Sequence, residues 1–141
     1  MERIVVGVDG SPASQAALRW ALDEAALRKA AVVAVSAWTY PYLGDLSYLA
    51  NRGIDPDELS AAAKARLTEA VAAAGPAPDG VTVEETVREG PAAGVLLEEA
   101  DGATMLVVGS RGHGGFSGLL LGSVSQQCAH HAPCPIVIVR A

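Results

Sequence analysis

Apolar positions fall along the chain in two alternating rhythms. The runs Ile4-Val5-Val6 with Val8, Ala31 to Trp38, Thr104 to Val108 and Ile136 to Val139 are short, nearly unbroken and mostly β-branched. Such runs predict strands buried on both faces, as in a parallel sheet. Between them apolar residues recur at three- and four-residue spacing. Ala17, Leu18, Ala21, Leu22 and Ala25 form one such face, and Leu59, Ala62, Ala63, Leu67, Ala70 and Val71 another. That spacing predicts amphipathic helices packed on the sheet. Val81 to Arg88 alternates apolar and polar residues, which predicts an edge strand with one wet face.

The punctuation agrees with the rhythm. The first strand, Arg3 to Asp9, stops at Gly10-Ser11-Pro12, where Ser11 caps a helix and Pro12 takes its first position. Asp55-Pro56-Asp57-Glu58 is a second helix start with a capping-box glutamate, and Gly75-Pro76 ends that helix. Pro91 opens a short helix carrying Val95, Leu96 and Leu97. Ser123-Val124-Ser125-Gln126 fits a capping box before the last helix. The order is β-α-β-α-β-α-β-loop-α-β, which predicts one α/β domain over residues 1–141, with helices on both faces of a parallel sheet. The connection after Trp38 runs for roughly 15 residues, longer than usual, and carries Tyr40 and Tyr42. With Trp38 they form a lid or pack over the sheet end.

Charge and composition narrow the functions. The formal net charge is −6 and half the residues are hydrophobic. An acidic surface repels a phosphate backbone, so general nucleic-acid binding is not expected, although a local pocket for one nucleotide remains open. No apolar run reaches the length of a membrane span. The N-terminus leads straight into the first strand without a leader pattern, so a cytoplasmic location is expected. Cys128, His130, His131 and Cys134 do not have standard zinc spacing, and both cysteines read as reduced, small core residues.

The chemistry is concentrated after the fourth strand. Five glycines, Gly109, Gly112, Gly114, Gly115 and Gly118, lie within ten residues. Glycine lets backbone approach a ligand closely, and successive N–H groups form a nest for anions. The helix start at Ser123 adds free N–H groups and the positive end of a helix dipole. Arg111 and His113 bring positive charge, and the Ser123 and Ser125 hydroxyls bring donors. The loop lacks the Gly-Lys-Ser/Thr of a Walker A motif, and the first strand ends in Asp9-Gly10-Ser11 rather than in a dinucleotide fingerprint.

Gly109, two residues, Gly112, nine residues, then Gly122-Ser123 resembles the nucleotide-binding signature of the ATP-binding universal stress protein (UspA) family. The opening Ile4-Val5-Val6-Gly7-Val8-Asp9-Gly10-Ser11 and the ending His131-Ala132-Pro133-Cys134-Pro135-Ile136-Val137-Ile138-Val139 are also similar to that family. The resemblance spans essentially the whole chain. It implies a three-layer α/β/α sandwich with an open five-stranded parallel sheet of order 3-2-1-4-5, the adenine nucleotide alpha hydrolase-like fold. It further implies that Asp9 and Gly109 lie at the ribose, that the Ala37 backbone pairs with adenine, and that Gly112, Gly122, Ser123, Val124 and Ser125 cradle phosphate. The ligand expected is ATP, or ADP or AMP, with Asp9 able to share a Mg²⁺. A homodimer through the C-terminal strand, Ile136 to Val139, is also implied, and an apolar sheet edge there fits it.

No nucleophile–base pair or second carboxylate accompanies the pocket. The function expected is therefore a nucleotide-responsive regulatory dimer without efficient catalysis. A slow ATPase or nucleotidyl transferase, and an interaction module with an unused pocket, are the two alternatives.

Overall fold

The computed structural model of the chain describes residues 2–39, 53, 55–112 and 121–141. Five strands form one sheet: β1 (Arg3–Gly7), β2 (Ala31–Trp38), β3 (Val83–Glu89), β4 (Met105–Gly109) and β5 (Ile136–Val139). Among the described residues four helices connect them: α1 (Pro12–Arg28), α2 (Pro56–Ala73), α3 (Ala92–Glu99) and α4 (Ser123–His131). The strand order is β3-β2-β1-β4-β5 and every pairing is parallel, as expected. The register runs Ile4 against Val32 on one side and Met105 on the other, and Gly109 against Val139 at the far end.

Period-two alternation divides the strands between two cores. Ile4, Val6, Val32, Ala34 and Val107 face α1 and α2, where they meet Leu18, Leu22 and Leu67. Val5, Val33, Val35, Leu106 and Val108 face α3 and α4, where they meet Val95, Leu96 and Cys128. All five residues of the predicted α1 face are buried. In α2 only Ala63 and Leu67 of the predicted stripe are buried, and Ala62 is exposed. The reason is position: α2 lies over β2 and the edge strand β3, where one line of side chains suffices to reach the sheet. Ala70 and Val71 pack against the same core while only partly buried, and polar contacts add to them, with Arg19 donating to the Ala74 and Pro76 carbonyls and Gln15 to that of Ala70.

Of the three polar side-chain caps read from the sequence, two form. Ser11 accepts from Ser14 N–H at 3.2 Å and Asp55 from Asp57 N–H at 2.9 Å. The third differs. Gly122, in extended backbone, is the N-cap of α4 and makes no side-chain cap bond, so Ser123 is the first helical residue and the expected capping box does not form. The Ser123 side chain is thereby left at the surface.

Glycine is required at the end of β4. A Cβ on Gly109 would lie 2.6 Å from the Ala13 carbonyl carbon and 2.8 Å from its oxygen. The first turn of α1 therefore packs directly on the β4 backbone. Gly109→Ala should lose about 2 kcal/mol of stability, since backbone rather than a flexible side chain must move. Urea denaturation measures this, and an unchanged midpoint would show that α1 does not rest there.

Candidate functional site

The sheet reverses its order between β1 and β4. The chain leaves β1 into α1 on one face and leaves β4 toward α4 on the other, so a crevice opens beyond their carboxyl ends. A cavity of about 270 Å³ occupies it.

Asp9 stands at the β1 end of the crevice. Its Oδ1 accepts the Ser11 N–H at 2.9 Å, and its own N–H donates to Ser14 Oγ at 3.2 Å. Gly10, at φ 82°, allows the tight turn that makes this possible. The other carboxylate oxygen, Oδ2, would lie 2.6 Å from a Cβ on Gly112. The acid thus both shapes the turn before α1 and stands over the glycine loop. Ser11 Oγ crosses the crevice and donates to the Arg111 carbonyl at 3.4 Å, so the two sides are tied together.

The β4 side is built around one carbonyl. Ser110 donates its N–H to Val139 at 2.8 Å, which fixes it to β5. Its carbonyl accepts the Gly122 N–H at 2.7 Å and the Ser125 hydroxyl at 3.1 Å. The first helical bond of α4 runs from Gln126 N–H to the Gly122 carbonyl. The N–H groups of Ser123, Val124 and Ser125 precede it and find no acceptor among the described residues. All three residues line the cavity, so the donors and the positive helix end are available to an anion there.

Asp9, Ala37, Gly109, Arg111, Gly112, Gly122, Ser123, Val124 and Ser125, all singled out in the sequence, line this one cavity. His113 lies outside the described residues, as do Gly114, Gly115, Gly118, Tyr40 and Tyr42. The sequence reading missed the apolar wall made by Val8, Val35, Ala92, Leu96 and Val108. A signal was present at the strands, because Val8 follows β1 directly and Val108 falls one residue before the end of β4. Nothing local in the sequence marks Leu96, which reaches the wall from α3. Gly7 makes room for it, since a Cβ there would meet Leu96 Cδ1 at 2.8 Å. The cavity therefore has an apolar back, an exposed carboxylate at its rim, and a row of N–H donors at one end. A flat apolar group and an anion on one molecule would be held together.

A second cavity, about 460 Å³, opens on the opposite face between α1 and α2 and shares Val8, Asp9 and Ala37 with the first. It is larger and carries Arg66 and Glu69 on its wall, but it lacks the glycines and the α4 start that line the first. Cys128 lies in the core behind α4, where burial pushes its thiol up to about 11, the state of an unreactive cysteine. Among the described residues no group of three His, Cys, Asp or Glu side chains gathers to hold a metal.

The chain resembles known proteins over nearly its full length. It is 39% identical over 137 residues to a universal stress protein of Mycolicibacterium smegmatis, an alignment that covers 97% of this chain and 45% of that protein. The chain thus spans somewhat under half the length of that curated relative. UspA of Lactobacillus plantarum superposes with a TM-score of 0.84 at 20% identity, covering 99% of this chain and 97% of the other. A universal stress protein solved in complex with cAMP superposes with a TM-score of 0.68 at 29% identity, covering 99% and 96%. The model of the universal stress protein family matches residues 1–140, and with the glycine signature in place at the switch point, the chain belongs to that family.

Proposed function

We propose that the chain binds an adenine nucleotide, ATP or its di- or monophosphate, across the β1–β4 crevice, and that this binding serves regulation rather than turnover. The observation that carries the reading is the row of N–H groups at the start of α4 that find no acceptor among the described residues and belong to residues lining the same cavity as Asp9 and the apolar wall. Phosphate would lie against Ser123, Val124 and Ser125, with Gly112 and Gly122 presenting no side chain to obstruct it. Asp9 and Gly109 would take the ribose. The base would lie between the Ala37 backbone and the wall of Val35 and Leu96. A relative of the same fold solved with cAMP supports a nucleotide as the ligand class.

Mg²⁺ fits the arrangement as a companion of the phosphates. It ordinarily takes one or two carboxylates together with phosphate oxygens and waters. Asp9 is the one carboxylate that lines the cavity, with Oδ2 on the side of the glycine loop. Among the described residues no second carboxylate and no histidine lines the cavity with it. Steady-state assays should therefore detect no ADP or AMP release above the uncatalysed rate, and turnover that disappears in Asp9→Ala would establish an enzyme instead.

A second copy of the chain is proposed on β5, the apolar edge of the sheet. The Pro135 and Val139 carbonyls bond to β4, so alternation turns the backbone groups of Ile136 and Ile138 outward. Those groups would pair with the same strand of the partner.

Two substitutions test these assignments. A Cβ on Gly122 meets neighbours only at 3.4 Å or beyond and its φ is −76°, so the fold accepts a side chain there. Gly122→Val should melt within a few degrees of wild type yet lose ATP affinity at least about tenfold, because its branched methyls occupy the phosphate approach. Calorimetry that returned wild-type affinity would remove the phosphate site from α4. Ile138→Pro deletes an outward N–H without touching the β4 ladder, and light scattering should then find a monomer. A persistent dimer would place the interface elsewhere.

A further inference from the structure

Resting on the nucleotide reading above, we propose that Ser125 acts as a positioning residue: its hydroxyl closes the neck of the glycine loop and does not itself bind phosphate. A serine hydroxyl has one hydrogen to donate. That of Ser125 points at two carbonyls inside the protein, Ser110 at 3.1 Å and Gly122 at 3.0 Å, and the residue is 2% exposed. No donor remains for a phosphate oxygen. The backbone N–H of Ser125 is still free to serve one.

The value of this arrangement lies in what Ser110 joins. Nine residues separate Gly112 from Gly122 in the sequence. The Gly122 end returns to the Ser110 carbonyl, two residues before Gly112, and that carbonyl receives the Gly122 N–H and the Ser125 hydroxyl together. Ser110 is in turn fixed to β5 through Val139. A Cβ on Gly122 would lie 3.5 Å from the Ser110 oxygen and 3.7 Å from the Gly112 nitrogen, so the neck is closed to contact distance. The latch therefore sets where the first N–H groups of α4 stand relative to Gly112 and Asp9. It accounts for a serine two places beyond the signature serine: Ser123 is exposed at the ligand, and Ser125 is buried beneath it.

A direct ligand and a latch predict different behaviour in the nucleotide-free protein. In Ser125→Ala, amide hydrogen exchange at Gly122 should rise about fivefold without any nucleotide present, as one buried hydrogen bond is lost from a shared acceptor. AMP affinity should fall about three- to tenfold, while adenosine, which has no phosphate, should bind within about twofold of wild type. Ser125→Cys keeps the side-chain volume with a weaker donor and should give both changes at smaller size, which keeps the test open should the alanine variant not fold. Loss of AMP affinity with unchanged Gly122 exchange would make the hydroxyl a direct ligand. Faster exchange with unchanged AMP affinity would make it a structural bond alone. Either result overturns the proposal. If wild type binds neither AMP nor adenosine, the nucleotide reading fails, and the exchange experiment still decides whether the latch exists.

Discussion

The structure depends on how closely α1 approaches the end of β4. Right-handed crossovers oblige the chain to leave β1 and β4 on opposite faces once these strands are neighbours. A side chain at the end of β4 would ordinarily hold the first turn of α1 off that strand. Gly109 removes that separation, and the Ala13 backbone packs where its Cβ would be. The first turn of α1, the acid at its approach and the glycine loop are then drawn around one crevice. The bond from Ser11 Oγ to the Arg111 carbonyl completes the closure. A larger residue at position 109 would disturb the core and the site together.

The site divides its work between backbone and side chains. On the proposed reading, anion recognition would fall to N–H groups at the start of α4, which need no side-chain charge, so that a chain of net charge −6 could hold a phosphate there. Specificity for the rest of a ligand falls to the apolar wall and to Asp9. The carboxylate sits beside the glycine loop, where it would repel a bare phosphate and attract a hydroxyl or a cation. On the proposed reading, that arrangement would favour a nucleotide over an inorganic anion.

Much of this was legible in the sequence, and the failures have physical causes. The limits of β2 and β5 agree with the apolar runs to the residue, because each run ends at a polar or turn residue. The first strand read two residues too long, since Val8 continues the apolar run and donates one more bond, to the Val35 carbonyl, beyond the paired register. The α2 stripe was overestimated because periodicity shows which face is apolar, not how deeply an edge of the sheet lets it sink. Ser123 reads as a cap by residue type, yet the Gly122 N–H is bound to Ser110 and Gly122 takes the cap, so the helix begins one residue earlier. Strand order came from the family likeness and not from the pattern, which fixes alternation but not neighbours. The glycines and serines of the site were visible because their spacing is local. The wall from Leu96 and Ala92 was not, because only the fold brings α3 to the crevice.

The most direct test of the account is a crystal structure of the chain grown with ATP. The account predicts phosphate oxygens within hydrogen-bond distance of the Ser123 and Val124 N–H groups, with the base against Ala37 and the ribose beside Asp9. A nucleotide seated between α1 and α2, or an empty crevice at saturating ATP, would contradict it.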